Sequence, residues 1–141
     1  MYAYIDLIEV SQQGWLAPEV WHALQSMRAL TARVCCWAND LISFERERAQ
    51  GEVLNLVIVM MAEGLDERGA RAQAIALHDS DVQAFRATAE WLRQHMASSG
   101  GAHLRSMERY IEHLSAYIRG NLDWTAGAAR YSVELQREHV A

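Results

Sequence analysis

Three oxygen-bearing side chains, Asn39, Ser43 and Glu47, recur in the sequence at i, i+4 and i+8. On a helix advancing 100° per residue they drift by only about 80°, so all three line one face over two turns. An amide oxygen, a hydroxyl and a carboxylate are hard ligands. They suit Mg²⁺, which takes octahedral oxygen coordination and completes it with water and substrate phosphate. Zinc is disfavoured because no His or Cys joins them. A solvated polar stripe is the commonplace alternative. This stripe, however, follows Val34, Cys35, Cys36, Trp37 and Ala38 and encloses Leu41, Ile42 and Phe44. A metal-binding stripe on an inward face accounts for such apolar surroundings better than solvation does.

A long helix must carry these residues. Pro18 suits a first helical turn, Glu19 sits near the positive helix end, and no breaker follows until Gly51. That predicts about 30 residues of helix, on the order of 50 Å long. Before it, Tyr2 to Gln13 reads as a helix stopped by Gly14. After it, Glu52 to Glu63 reads as a short apolar helix ended by Gly64. Asp66 can cap the next helix, which runs to about Ala97 with Ala74, Leu77, Val82, Phe85, Ala89 and Leu92 as its stripe. His78-Asp79-Ser80-Asp81 could break it in two. Beyond the Ser98–Gly101 loop, Ala102 to Arg119 reads as a helix with Leu104, Met107, Tyr110, Ile111, Leu114 and Ile118 inward, ended by Gly120.

The composition agrees with an all-α class. The chain has 141 residues, 51% hydrophobic and 22% charged, with eight glycines and one proline, too few turn residues for a β-sandwich or barrel. Its net charge of −5 lacks the basic footprint of a nucleic-acid binder. The two cysteines, Cys35 and Cys36, are adjacent, which disfavours a disulfide framework and suits a reducing, cytoplasmic location. The most apolar stretch, Val53 to Ala62, is interrupted by Asn55 and too short to span a bilayer. The six histidines fall in no metal-ligand spacing and read as surface residues.

The segment Asn39-Asp40-Leu41-Ile42-Ser43-Phe44-Glu45-Arg46-Glu47 resembles the second metal-binding motif of class I terpene synthases, N-D-[LIV]-x-S-x-x-x-E, at every fixed position. The likeness to bacterial members continues through Gly51-Glu52-Val53-Leu54-Asn55-Leu56-Val57, which resembles G-[DE]-x-x-N-[LV]-V. Gly120 to Trp124 is similar to the family's G-x-x-x-W, Arg130-Tyr131 to its terminal Arg-Tyr pair, and Asp6-Leu7-Ile8-Glu9 to its upstream D-L-x-E.

The resemblance implies the C-terminal part of a terpene synthase helical fold, about five or six helices, with residues 1–141 as a single partial domain. It implies that Asn39, Ser43 and Glu47 hold one Mg²⁺, with Mn²⁺ able to replace it. Arg46, Arg130 and Tyr131 would bind diphosphate, and Cys35 and Trp124 are candidate cavity residues, although a buried, inert thiol is the preferred reading of Cys35. The implied activity is a lyase reaction: Mg²⁺-assisted ionisation of a linear prenyl diphosphate, foremost farnesyl diphosphate, followed by carbocation cyclisation to a sesquiterpene.

The family's other metal wall, D-D-x-x-[DE], has no counterpart here. Asp79-Ser80-Asp81 lies after the Asn39 motif, in the wrong order, and reads as a helix break or surface feature. Counting back from Asn39 puts the family's diphosphate-sensing Arg and effector Gly just upstream of Met1. A complementary N-terminal half or a homo-oligomer is therefore the expected partner. The alternative function is a non-catalytic remnant or helical partner subunit.

Overall fold

In a computed structural model, residues 18–96 and 101–127 are described. They form α1 (Pro18–Ala49), α2 (Leu56–Ala62), α3 (Glu67–Met96) and α4 (Gly101–Gly127). Among the described residues the regular structure is all helix, in four helices rather than five or six. The helix expected over Tyr2 to Gln13 lies outside them.

The central element is α1, 32 residues long and about 48 Å at 1.5 Å per residue. Arg46 and Arg48 in its last turn complement the negative helix end. It stops where expected, and the backbone shows how. Gly51 takes a left-handed φ of 74°. Its N–H donates to Arg48 O at 3.1 Å, and the Glu52 N–H donates to Glu47 O at 3.0 Å. This double bond pattern closes a helix on a residue that needs positive φ, which glycine supplies without steric cost.

Residues 52–55 then run without helix, and α2 begins at Leu56 rather than Glu52. The later start has a local cause. Asn55 is the N-cap, with extended backbone, and its side chain accepts from the Val57 and Ile58 N–H groups. At the far end of α2, Gly64 repeats the closing pattern with φ 108°.

Asp66 caps α3 as expected: its Oδ1 accepts from the Gly69 N–H at 2.7 Å. The expected break at 78–81 does not occur, and α3 is continuous over 30 residues. Asp81 is partly buried and accepts from Arg33 Nε and Nη2 at 2.8 and 2.7 Å and from Trp37 Nε1 at 3.0 Å. Its carboxylate is committed across to α1, so the turn-forming tendency of the segment is overridden by tertiary bonding. The expected stop at Gly120 also fails. The helix α4 runs through it to Gly127, with Arg119 and Asp123 paired one turn apart at 3.1 Å across it and Thr125 buried beyond it. A lone glycine weakens a helix by roughly 1 kcal/mol relative to alanine, which packing on either side readily outweighs.

The helices α1 and α3 pack antiparallel, with α2 and α4 also on α1. This creates two apolar clusters. One joins Leu24, Met27, Leu30 and Ala32 of α1 to Phe85, Ala89, Leu92 and Met96 of α3 and Met107, Tyr110, Ile111 and Leu114 of α4. The other, at the opposite end, joins Phe44, Val57, Met60, Ala70 and Ala74. Most of the expected α3 stripe is inward, but Leu77 stands exposed.

Candidate functional site

The last three turns of α1 and the strap of residues 51–55 enclose an open cleft of about 400 Å³. Asn39, Asp40, Arg46 and Glu47 line it from the helix, and Glu52 and Leu54 from the strap. Spacing on α1 places Asn39 and Glu47 on the same cleft, as their i, i+8 relation requires.

Ser43, between them, is fully buried, and its Oγ has no hydrogen-bond partner. Thr125 Oγ1, near the end of α4, is likewise buried without a partner, whereas a buried helical hydroxyl ordinarily bonds the carbonyl one turn back. Other hydroxyls in this chain do so: Thr31 Oγ1 donates to Met27 O at 2.8 Å and Ser115 Oγ to Ile111 O at 2.7 Å. A buried hydroxyl left unmatched costs about 1–3 kcal/mol.

Glu47 is held on both oxygens. Arg46 Nη2 donates to Oε1 at 3.0 Å, and Asn55 Nδ2 donates to Oε2 at 3.1 Å. Asp40 points its Oδ2 at the Leu56 N–H, 2.9 Å away. Burial pushes the Asp40 carboxyl above its ordinary value, the Leu56 bond opposes this, and nearby Glu47 adds to the rise. Asp40 is thereby tied to the first turn of α2, whereas Glu47 keeps lone pairs toward the cleft.

Behind the motif, Arg71 of α3 packs over the Phe44 ring at 4.3 Å from its centroid. The same guanidinium bonds Glu45 and, at 3.0 Å, Glu67. Arg48 reaches Glu67 at 2.7 Å. These bonds, that from Arg71 foremost, hold the Glu67 carboxyl below its usual range. Phe44, fully buried beside Ser43, is thus fixed from both α1 and α3.

Of the other residues singled out in the sequence, Cys35 is buried and does not line the cleft. Burial, with a smaller contribution from Cys36, pushes its thiol up to about 12. Trp124 is exposed on α4. Arg130 and Tyr131 lie outside the described residues. Asn55 and Arg71 were given no role by the sequence. For Asn55 a signal existed: it matches the fixed Asn of G-[DE]-x-x-N-[LV]-V and is a lone amide inside an apolar run. For Arg71 none did, since its partners come from another helix.

The donor set offered by Asn39, Ser43 and Glu47 is all oxygen, the chemistry a hard divalent cation takes; Asn39 and Glu47 line the cleft, while Ser43, one turn from each along α1, is buried behind its lining. Among the described residues, no three His, Cys, Asp or Glu side chains converge as a metal cluster. No described helix is long and apolar enough to cross a membrane.

A family model described as terpene synthase family 2, C-terminal metal binding, matches residues 1–84. The chain belongs to the class I terpene synthase family. Among curated terpene synthases it is 32% identical to 10-epi-cubebol synthase of Sorangium cellulosum, over 94% of this chain and 42% of that protein. It is 31% identical to (+)-T-muurolol synthase ((2E,6E)-farnesyl diphosphate cyclizing) of Roseiflexus castenholzii, over 94% of this chain and 40% of that one. The solved structure of T181N cucumene synthase superimposes with a TM-score of 0.71 at 30% identity, covering 91% of this chain and 43% of the other. The chain therefore spans about two-fifths of the length of the terpene synthases it matches, in their C-terminal metal-binding region.

Proposed function

We infer that this chain forms one metal-binding wall of a terpene cyclase that ionises a linear prenyl diphosphate, farnesyl diphosphate foremost, and cyclises the allylic cation. The observation that carries this is the unmatched, buried Ser43 hydroxyl between Asn39 and Glu47. An oxygen left unpaired at that cost makes sense as a ligand kept ready. Asn39, Ser43 and Glu47 would hold one Mg²⁺, or Mn²⁺ in its place. When bound, the ion supplies positive charge that stabilises the departing diphosphate.

The chain's own residues do the rest. Arg46, on the cleft beside Glu47, presents a planar guanidinium fork suited to diphosphate oxygens. Arg130 and Tyr131 supply further donors to the same group. Val53 and Leu54 stand exposed on the strap, which supports a complete catalytic unit in which further helices, in the same polypeptide or a partner chain, close the cleft and exclude water. Trp124, exposed on α4, would join that cavity's wall. The adjacent free thiols fit a cytoplasmic enzyme.

The test supplies farnesyl diphosphate and Mg²⁺ to the chain, alone and together with the N-terminal three-fifths of 10-epi-cubebol synthase as a separate polypeptide. Products are read by gas chromatography and mass spectrometry. The expected result is a cyclic terpene with the native chain and none with Glu47→Ala. Equal turnover by Glu47→Ala would remove the site assignment. Absence of product in every combination would favour a non-catalytic chain.

A further inference from the structure

Asn55 is fully buried, and every polar atom of its side chain is used. Oδ1 accepts from Val57 N at 2.9 Å and Ile58 N at 3.5 Å. Nδ2 donates to Asp40 O at 2.7 Å and Glu47 Oε2 at 3.1 Å. Only one orientation of the amide satisfies these partners. Turned over, its oxygen would face a carbonyl and a carboxylate, while its N–H groups would face two backbone donors. The α2 N-terminus thus fixes which end of Asn55 meets Glu47.

Glu47 has a second donor, Arg46, on its other oxygen. The two donors differ in what a cation does to them. Arg46 is itself positive and 32% exposed, so an arriving cation repels it. Asn55 is neutral, immobile and anchored by three bonds other than the one to Glu47. It can keep its bond to Oε2 while the carboxylate takes up a metal.

We propose that Asn55 is a positioning residue for Glu47: the amide that caps α2 also locks the carboxylate in its cation-binding orientation. This rests on the reading of Asn39, Ser43 and Glu47 as a metal site. It adds a division of labour: Arg46 balances the charge of Glu47 until the cation arrives, and Asn55 sets its geometry throughout. The strap from Gly51 to Asn55 is then the element that returns the amide to the metal helix.

Capping and positioning separate by substitution. Asn55→Ser retains a good capping oxygen but cannot reach Glu47. Asn55→Thr does the same and serves where the serine variant does not fold. Val57→Ala removes buried apolar contact from the same short helix and leaves both Asn55 donors in place, so it controls for simple destabilisation of α2.

The experiment has two readouts on the full chain. The first needs no metal: in ¹⁵N-labelled protein the two Asn55 side-chain amide protons should both exchange slowly, and Glu47→Ala should make one of them fast. The second is Mn²⁺ titration by calorimetry in the presence of inorganic diphosphate. Mn²⁺ affinity should fall about 10-fold in Asn55→Ser, the range expected for groups that orient a ligand, and stay unchanged in Val57→Ala. Equal losses in both variants, or amide protons indifferent to Glu47→Ala, would overturn the positioning role alone. Native chain that binds no Mn²⁺ while the amide protons behave as expected would instead overturn the metal reading, and the cation-directed role of Asn55 with it.

Discussion

The two ends of α1 are stabilised by different means. From Leu24 to Ala32 it is packed into a cluster of twelve buried residues drawn from three helices. From Asn39 to Glu47 the apolar cluster shrinks to five residues, two of them alanines. There the helix is secured by Asn55, by Arg71 on Glu45 and Phe44, and by the Asp40–Leu56 bond. One end follows the logic of area removed from water; the other follows that of directed bonds, which fix geometry more than they add stability. A helix face that lines a charged cleft cannot be coated with leucine. The stability sacrificed at the site is recovered about 15 residues away on the same rod.

This contrast can be broken or sharpened by substitution. Leu114→Ala, in the large cluster, should lower stability by about 3 kcal/mol through the cavity it leaves. Denaturant unfolding reads this, and the Asn55 amide protons should keep their native pattern until global unfolding. A site that loosened first would show the two ends to be one unit. Ser43→Ala should act in the opposite sense. Removing the unmatched hydroxyl should raise cation-free stability by about 1–2 kcal/mol and abolish any further stabilisation by Mn²⁺ with diphosphate. A destabilised Ser43→Ala would make Ser43 an ordinary packing residue.

The smallest effect is expected at Asp81, between the two clusters. Its bonds to Arg33, and secondarily to Trp37, hold its carboxyl below the ordinary 3.8, against opposing desolvation. A depressed folded value means that Asp81 contributes fully above the unfolded value and ceases to contribute as pH falls through the folded one. Asp81→Asn should therefore cost about 1 kcal/mol at neutral pH, limited by the exposure of Arg33. Melting curves of the two proteins should converge as pH drops below the carboxylate range. A difference that persisted there would assign the effect to shape rather than charge.

Much of this was legible in the sequence where the causes are local. The extent of α1, its stop at Gly51 and the Asp66 cap depend on residues within one turn of each other. The inward stripe of α4 followed from periodicity alone. The errors arose where a distant partner decided the outcome. Asp81 looks like a turn residue until Arg33, 48 positions away, claims its carboxylate. Gly120 looks like a stop until the flanking helix is packed on both sides. The shared helix of Asn39, Ser43 and Glu47 was readable because their spacing is local. The Asn55 bond to Glu47 was not, because it depends on the path of the strap rather than on any helical spacing.

That path also bears on how the chain folds. Asn55 meets Glu47 across 8 positions and Leu56 meets Asp40 across 16, whereas Arg33 and Asp81 are 48 apart. Closing the short loops forfeits less chain entropy and takes on the order of 10–100 ns, well within the time a helical bundle needs to assemble. The hairpin of α1 and α2 is thus encoded almost entirely in contiguous sequence. The turn joining α1 to α2 can take its shape before the long helices have found one another, so the candidate site does not wait on the slowest contacts of the fold.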